Sequence, residues 1–251
     1  MRLVVKIGTS LVAGGGRIDI GRLRTVIDQL DLSLHEFLIV SSGAIGSGML
    51  KLSMKERPTN VPLMQACAAV GQSLLMHTYE QLFFGKKVVG QLLLSSDDFT
   101  SPARYKNLQN ALQELLKLNV VPIINENDSI SVRELVGAFG DNDELSALVA
   151  KAVEADWLLL LTDVNGFYVS NGSKRPRLLR TVKNVTPAME ALCSGQGKLG
   201  TGGMRSKLCA AKSASQAGIR VSIVDGRHPH AIAWALRRKI GTYFPPRRGR
   251  R

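Results

Sequence analysis

Two lysines, each tied to a glycine-containing turn, are the residues best suited to chemistry in this chain. The segment Gly200-Thr201-Gly202-Gly203-Met204-Arg205-Ser206-Lys207 places three glycines within four positions, ahead of a helix-like stretch over 204–217 that Gly218 ends. A glycine-rich turn feeding a helix N-terminus leaves backbone N–H groups open, and those groups and the helix dipole both favour an anion. Lys207, in the first turn, suits phosphate as a mobile point charge. The second lysine, Lys6, ends the first apolar run and precedes Ile7-Gly8-Thr9-Ser10. A lysine at a strand end is ordinarily a surface charge, but less often when it sits in a phosphate-type turn. No G-x-x-x-x-G-K-[ST] segment occurs, so the pair points to a kinase without a Walker loop.

The elements that must carry these residues follow from hydrophobic periodicity. Positions 2–7, 37–40, 87–94, 120–124, 157–161 and 221–224 read as strands; 20–34, 59–84, 104–118, 145–155, 204–217 and 230–237 read as helices. Strands alternating with helices imply parallel βαβ units and a three-layer αβα sandwich around a mostly parallel sheet. Polar clusters follow four of the strands: Gly8-Thr9-Ser10, Ser41-Ser42-Gly43, Asn125-Glu126-Asn127-Asp128 and Thr162-Asp163. In open α/β sheets, ligands bind beyond the carboxyl ends of the strands. A soft boundary at 154–156 divides one continuous domain into an N-terminal lobe (1–155) for one ligand and a C-terminal lobe (156–251) for the other.

Composition narrows the class. A length of 251 residues suffices for one large α/β domain. Hydrophobic content of 45% with only 5% aromatics suits a sheet of Val, Ile and Leu. The apolar run at 157–161 is far too short to cross a bilayer, and the N-terminal run is too short for a signal. Cys67, Cys193 and Cys209 are odd in number with no C-x-x-C pair, which fits a reducing compartment; a cytoplasmic location is expected. The net charge of +13 admits nucleic acid, an acidic membrane or anionic small molecules. Its clusters, Lys174 to Lys183 and Arg247 to Arg251, lack interleaved aromatics, so solvated surface is the better reading and a single-strand stacking surface is disfavoured.

The ordered motifs resemble the amino-acid kinase family, and within it the branch acting on glutamate. They are Val4-Val5-Lys6-Ile7-Gly8-Thr9-Ser10, Ser41-Ser42-Gly43-Ala44-Ile45, Ala68-Ala69-Val70-Gly71-Gln72-Ser73, Pro122-Ile123-Ile124-Asn125-Glu126-Asn127-Asp128, Gly140-Asp141-Asn142-Asp143, Leu159-Leu160-Leu161-Thr162-Asp163 and the Gly200–Lys207 turn. The resemblance implies phosphoryl transfer from ATP to the γ-carboxylate of L-glutamate, the first step of proline biosynthesis. Its partners would be a homodimer or tetramer of the chain, proline as feedback inhibitor, and a glutamyl phosphate reductase receiving the unstable acyl phosphate; no membrane or nucleic acid is implied. Mg²⁺ would be held by phosphate oxygens and water, in line with its reluctance to dehydrate, with no protein ligand.

Donor phosphates and acceptor carboxylate are all negative, so catalysis is mostly positioning and charge neutralisation. Lys6 and Lys207 are the cations suited to that task, and Gly8 and Gly43 would let backbone N–H groups approach the phosphoryl oxygens. By resemblance, Asp143 orients both lysines; no base is needed, because the attacking carboxylate is already ionised at neutral pH. Resemblance also assigns Ser42, Asp128 and Asn142 to the amino acid, with Asn125 and Asp141 as helpers. It assigns Lys6, Thr162, Asp163, Thr201, Gly202, Gly203, Met204, Arg205, Ser206 and Lys207 to ATP. The plain alternatives are an Asx-rich turn for 125–128 and a helix N-terminal acid for Asp143.

Two departures stand out. The sequence ends soon after Gly241-Thr242-Tyr243-Phe244, giving the expectation of a kinase domain without the C-terminal RNA-binding-like (PUA) domain of many relatives. The stretch from Asp128 to Asp141 is slightly longer than usual, with Ala138-Phe139 before the Gly-Asp-Asn-Asp motif, which leaves proline sensitivity open. Weaker signals are set aside: Gly195-x-Gly197-x-x-Gly200 follows no strand, His228-Pro229-His230 reads as a surface turn rather than a metal site, and His35 and His77 show no chemical partners in sequence. The rivals are another member of the fold, acting on acetylglutamate, aspartate, carbamate or a nucleoside monophosphate, and a basic nucleic-acid-binding module.

Overall fold

Strict alternation of apolar side chains builds the centre of the molecule. In the first strand, β1 (Arg2–Ile7), Leu3, Val5 and Ile7 enter one buried cluster, while Val4 enters another on the opposite face. The second strand, β2 (Glu36–Val40), divides likewise into Phe37 and Ile39 against Leu38 and Val40. A sheet buried on both faces requires this two-sided pattern. The computed structural model describes residues 1–14, 17–130, 142–169, 176–193 and 203–247.

Five further strands complete the sheet: β3 (Val89–Leu94), β4 (Val121–Glu126), β5 (Trp157–Thr162), β6 (Arg220–Asp225) and β7 (Thr242–Phe244). Their order is β7-β6-β5-β1-β2-β4-β3. All neighbours are parallel except β6 and β7. The register aligns Lys6 with Val40 on one side and Leu160 on the other. The chain leaves β1 toward β2 and later returns beside β1 as β5, so the direction of winding switches there. That switch point opens a crevice at the carboxyl ends of the strands.

Helices cover both faces, giving the three-layer sandwich. The first cluster takes residues from α1 (Ile20–Ile27), α2 (Ala44–Lys51), α3 (Val61–Phe83) and α7 (Ala231–Leu236). The second takes them from α4 (Pro102–Lys117), α5 (Asn142–Ala152) and α6 (Met204–Gln216). Among the described residues, no helix is long and apolar enough to cross a membrane.

Three differences from the sequence-based elements have local causes. The helix expected over 20–34 stops at Ile27, because Asp31 turns the chain by accepting from Ser33 Oγ at 2.6 Å and Leu34 N at 3.3 Å. Helix α2 forms despite Gly46 and Gly48, since a Cβ at Gly48 would lie 1.8 Å from the Cys67 carbonyl oxygen; glycine lets α2 and α3 touch backbone to backbone. Helix α5 begins at Asn142 rather than 145, which places Asn142 and Asp143 in its first turn.

Candidate active site

The alternation that fills the core also aims Lys6. It lies two residues after Val4, on the face covered by α5 and α6, and is only 3% exposed. Asp143, on the first turn of α5, is 0% exposed. Its Oδ1 lies 2.7 Å from Lys6 Nζ, and its Oδ2 accepts from Lys207 Nζ at 3.0 Å. Ser206 Oγ donates to the same Oδ2 at 2.7 Å. One carboxylate thus gathers ammonium groups from β1 and α6, at positions 6 and 207 of the chain. Helix α6 enters through Gly203, which offers its first amides no side-chain cap.

Burial works against ionising Asp143, but the charges of Lys6 and Lys207 and the hydrogen bonds from Lys6 and Ser206 outweigh it, holding the carboxyl well below the usual range. A buried cluster of this kind costs desolvation and adds little net stability compared with apolar packing. What it supplies is two fixed positive charges at the carboxyl end of the sheet.

Around the cluster lie the other expected groups. Gly43 adopts φ +93 as the residue preceding α2, a left-handed conformation that favours glycine. The preceding Ser42 is buried. The Gly8 amide itself donates to Leu161 O at 3.1 Å, extending the β1–β5 ladder by one rung. The amides at that turn that precede the first intrahelical bonds, Leu11 and Val12 N to Gly8 O, are those of Thr9 and Ser10.

On the β4 side, Asn125 Nδ2 donates to Gln72 Oε1 at 2.9 Å, and Asn125 Oδ1 accepts from Glu126 N at 3.0 Å. Asn142 is buried, and its Oδ1 has no hydrogen-bond partner among the described residues; such an acceptor is open to a donor from water or a ligand. Asp128 is buried and borders a cavity of about 460 Å³, also lined by Ala44, Gln72, Gln91 and Glu126.

At the β5 end, Thr162 is buried and its Oγ1 donates to Asp163 Oδ1 at 3.1 Å. Arg227 reaches across from the end of β6, donating to Asp163 O at 2.5 Å while pairing with Asp225 at 2.7 Å. Met204 is half-buried and Arg205 exposed. Asp141, Thr201 and Gly202 lie outside the described residues, as do the glycines of the 195–200 signal and the Ala138-Phe139 stretch. The rings of His228 and His230 pack on Trp234, with centroids 4.6 and 5.6 Å away. His77 is within 2.9 Å of Gln81 Nε2 and lines the cavity. Sequence reasoning gave no role to Gln72, Tyr79 or Arg227. Gln72 lay inside a quoted motif; the other two carried no local signal.

The family model described as "Amino acid kinase family" matches residues 1–225, and the chain belongs to that family. It is 45% identical over 255 residues to a glutamate 5-kinase of Listeria monocytogenes, spanning 97% of this chain and 92% of that protein. A glutamate 5-kinase of Geobacter sulfurreducens is 42% identical, spanning 98% of this chain and 68% of the relative. Among solved structures, carbamate kinase from Giardia lamblia bound to AMP-PNP superposes with TM-score 0.66 at 20% identity, covering 98% of each chain. UMP kinase from Ureaplasma parvum does so with TM-score 0.61 at 16% identity, covering 97% of this chain and 98% of the other. At those identities the likeness is one of fold.

Proposed function

We propose that this chain transfers the γ-phosphoryl group of ATP to the γ-carboxylate of L-glutamate, giving ADP and γ-L-glutamyl phosphate, the first step of proline biosynthesis. The observation that carries the reading is the convergence of Lys6 and Lys207 on Asp143 at the carboxyl end of the sheet. The named activity of relatives at 42–45% identity supports the choice of acceptor.

In this reading a glutamate γ-oxygen attacks the γ-phosphorus and the bond to the β-phosphate bridging oxygen breaks, leaving ADP. Charge accumulates on the transferred group's equatorial oxygens and on the departing diphosphate. Lys6 and Lys207 neutralise it from two sides, and Asp143 holds both ammonium groups in place beforehand. Gly43 and the amides of Thr9 and Ser10 line the approach. Asn142 Oδ1 and Asp128 accept from the substrate ammonium, while Ser42 and Asn125 donate to its α-carboxylate. Thr162, Asp163 and the 201–207 turn hold the nucleotide. Mg²⁺ would be held by phosphate oxygens and water, where it would neutralise charge; both Asp143 oxygens are engaged by lysines, so we assign that carboxylate to the ammonium groups rather than to the metal.

The same reading makes 1–155 the amino-acid lobe and 156–251 the nucleotide lobe. It includes a cytoplasmic homo-oligomer, proline as inhibitor, and a reductase as acceptor of the product. The test is an ADP-release assay with hydroxylamine present, since acyl phosphates yield hydroxamates and phosphate esters do not. The wild type forms hydroxamate with glutamate, and Lys207→Ala lowers turnover by roughly 10²-fold or more with the fold retained by circular dichroism. Near-normal turnover in that variant removes Lys207 from the mechanism. Hydroxamate formation with another carboxylate alone, or ADP release with a nucleoside monophosphate alone, replaces glutamate as substrate. Salt-sensitive RNA binding without turnover would favour the nucleic-acid rival.

A further inference from the structure

Among the buried side chains of helix α3 are Gln72 and Tyr79, seven residues and two turns apart on one face. Both reach the polar ends of strands in the amino-acid half. Tyr79 Oη lies 2.8 Å from Ser41 Oγ, next to Ser42. Gln72 Oε1 accepts from Asn125 Nδ2 at 2.9 Å. The helix comes this close because Gly71 lacks a side chain: a Cβ there would stand 1.8 Å from Ala44 O and 2.5 Å from Gly48 N. The Gly71-Gln72 pair therefore acts as a unit, the first residue allowing the approach and the second using it.

An asparagine amide offers two N–H donors and one carbonyl oxygen. At Asn125, one donor goes to Gln72 and the oxygen accepts from Glu126 N. The Glu126 N–H decides which way the amide faces, since the flipped amide would set donor against donor there, and Gln72 then holds the amide by accepting from its Nδ2. The other N–H of Asn125 has no hydrogen-bond partner among the described residues. Gln72 also borders the cavity shared with Asp128, so the residue that fixes Asn125 stands in the wall of the same pocket.

We infer that Gln72 is a positioning residue for the amino-acid substrate, acting through the amide of Asn125 and governing affinity for the acceptor but not for the nucleotide. The inference rests on the proposed reading that the acceptor amino acid binds beside Asn125 and Asp128. With Gln72 replaced by an apolar side chain of similar volume, the Asn125 donor loses its partner and the amide can rotate away from its productive orientation.

The test is a kinetic cycle on the full chain with Gln72→Met, Asn125→Ala and the double variant, with glutamate and ATP varied separately. In Gln72→Met, KM for glutamate rises by about tenfold or more while KM for ATP stays within about twofold. In the Asn125→Ala background, Gln72→Met adds less than about twofold, because the residue through which it acts is gone. If Gln72→Met fails to fold, Gln72→Asn takes its place: it keeps an amide but retracts it by about 1.5 Å, and gives the same selective rise. An unchanged KM for glutamate, an equal rise for both substrates, or full additivity in the cycle overturns the inference. Any of these with a wild type that still forms hydroxamate leaves the functional reading standing; a wild type that forms none with glutamate defeats both.

Discussion

Replacing Asp143 by asparagine removes one negative charge from between two buried positive ones while keeping nearly the same shape. The carboxylate is 0% exposed, and the lysine side chains are 3% and 7% exposed, so water cannot take over its task without rearrangement. Breaking a buried ion pair by deleting one partner costs about 3–5 kcal/mol. For a chain of this size that corresponds to a melting temperature lower by roughly 6–20 °C. The assay is urea and thermal unfolding followed by tryptophan fluorescence, to which Trp157, buried on β5, and Trp234 both contribute, with and without ATP. Nucleotide phosphates would give the lysines a replacement anion, so the stability gap between variant and wild type narrows at saturating ATP, and by linkage the variant binds ATP more tightly even as turnover falls. The pH dependence has a definite sign. The Asp143 carboxyl is held below its unfolded value, so its contribution is present above about pH 4 and fades as the pH drops further; wild type therefore loses more stability on acidification than Asp143→Asn does. A ligand-free variant within about 1 kcal/mol of wild type, or a gap that widens with ATP, would refute the assignment of this carboxylate as counter-charge to both lysines.

Two other perturbations probe the packing of α3 against its neighbours. Gly71→Ala must push α2 away from α3, because the new methyl would meet the Ala44 carbonyl oxygen at 1.8 Å; a melting temperature roughly 2–12 °C lower and a raised KM for glutamate are expected, and a variant that melts like wild type shows the contact to be loose. The Tyr79 hydroxyl is pushed up to about 12 by burial, with the Ser41 hydrogen bond acting in the opposite direction. A folded value above the unfolded one means that stability is intact below about pH 10 and declines as the pH rises toward 12. Wild type should therefore lose about 1–2 kcal/mol more than Tyr79→Phe between pH 8 and pH 11 in urea unfolding, and identical losses would place the titration elsewhere.

The parts of this molecule legible in sequence are those set by short-range periodicity. The Val-rich β1 and Leu-rich β5 alternate into two buried clusters, and the polar turns after them mark the carboxyl edge of the sheet. Strand β7, only three residues long and antiparallel, has too little sequence to show a period. Helix α2 was hidden by its glycines, whose purpose appears only when Cys67 of α3 is in place against them. The lysines were legible as anion-binding residues because each sits in a recognisable turn. That Asp143 joins them followed only from family resemblance, since no spacing rule links positions 6, 143 and 207. The pairing of Gln72 with Asn125, 53 residues apart, depends on how closely two helices pack, which no local pattern encodes.

Two ammonium groups cannot be stored side by side without a counter-charge: at about 5 Å and an effective dielectric near 20 they repel by about 3 kcal/mol. Asp143 resolves that conflict by giving one oxygen to each lysine, so the positive pair is already organised in the protein alone. The three groups come from β1, α5 and α6, elements packed together on one face of the sheet. A shift of either helix relative to β1 would break at least one of the two contacts. In the proposed reading, alignment of the nucleotide with the acceptor is thereby tied to the packing of the core itself, and the same alternation that buries Val4 also brings Lys6 to Asp143.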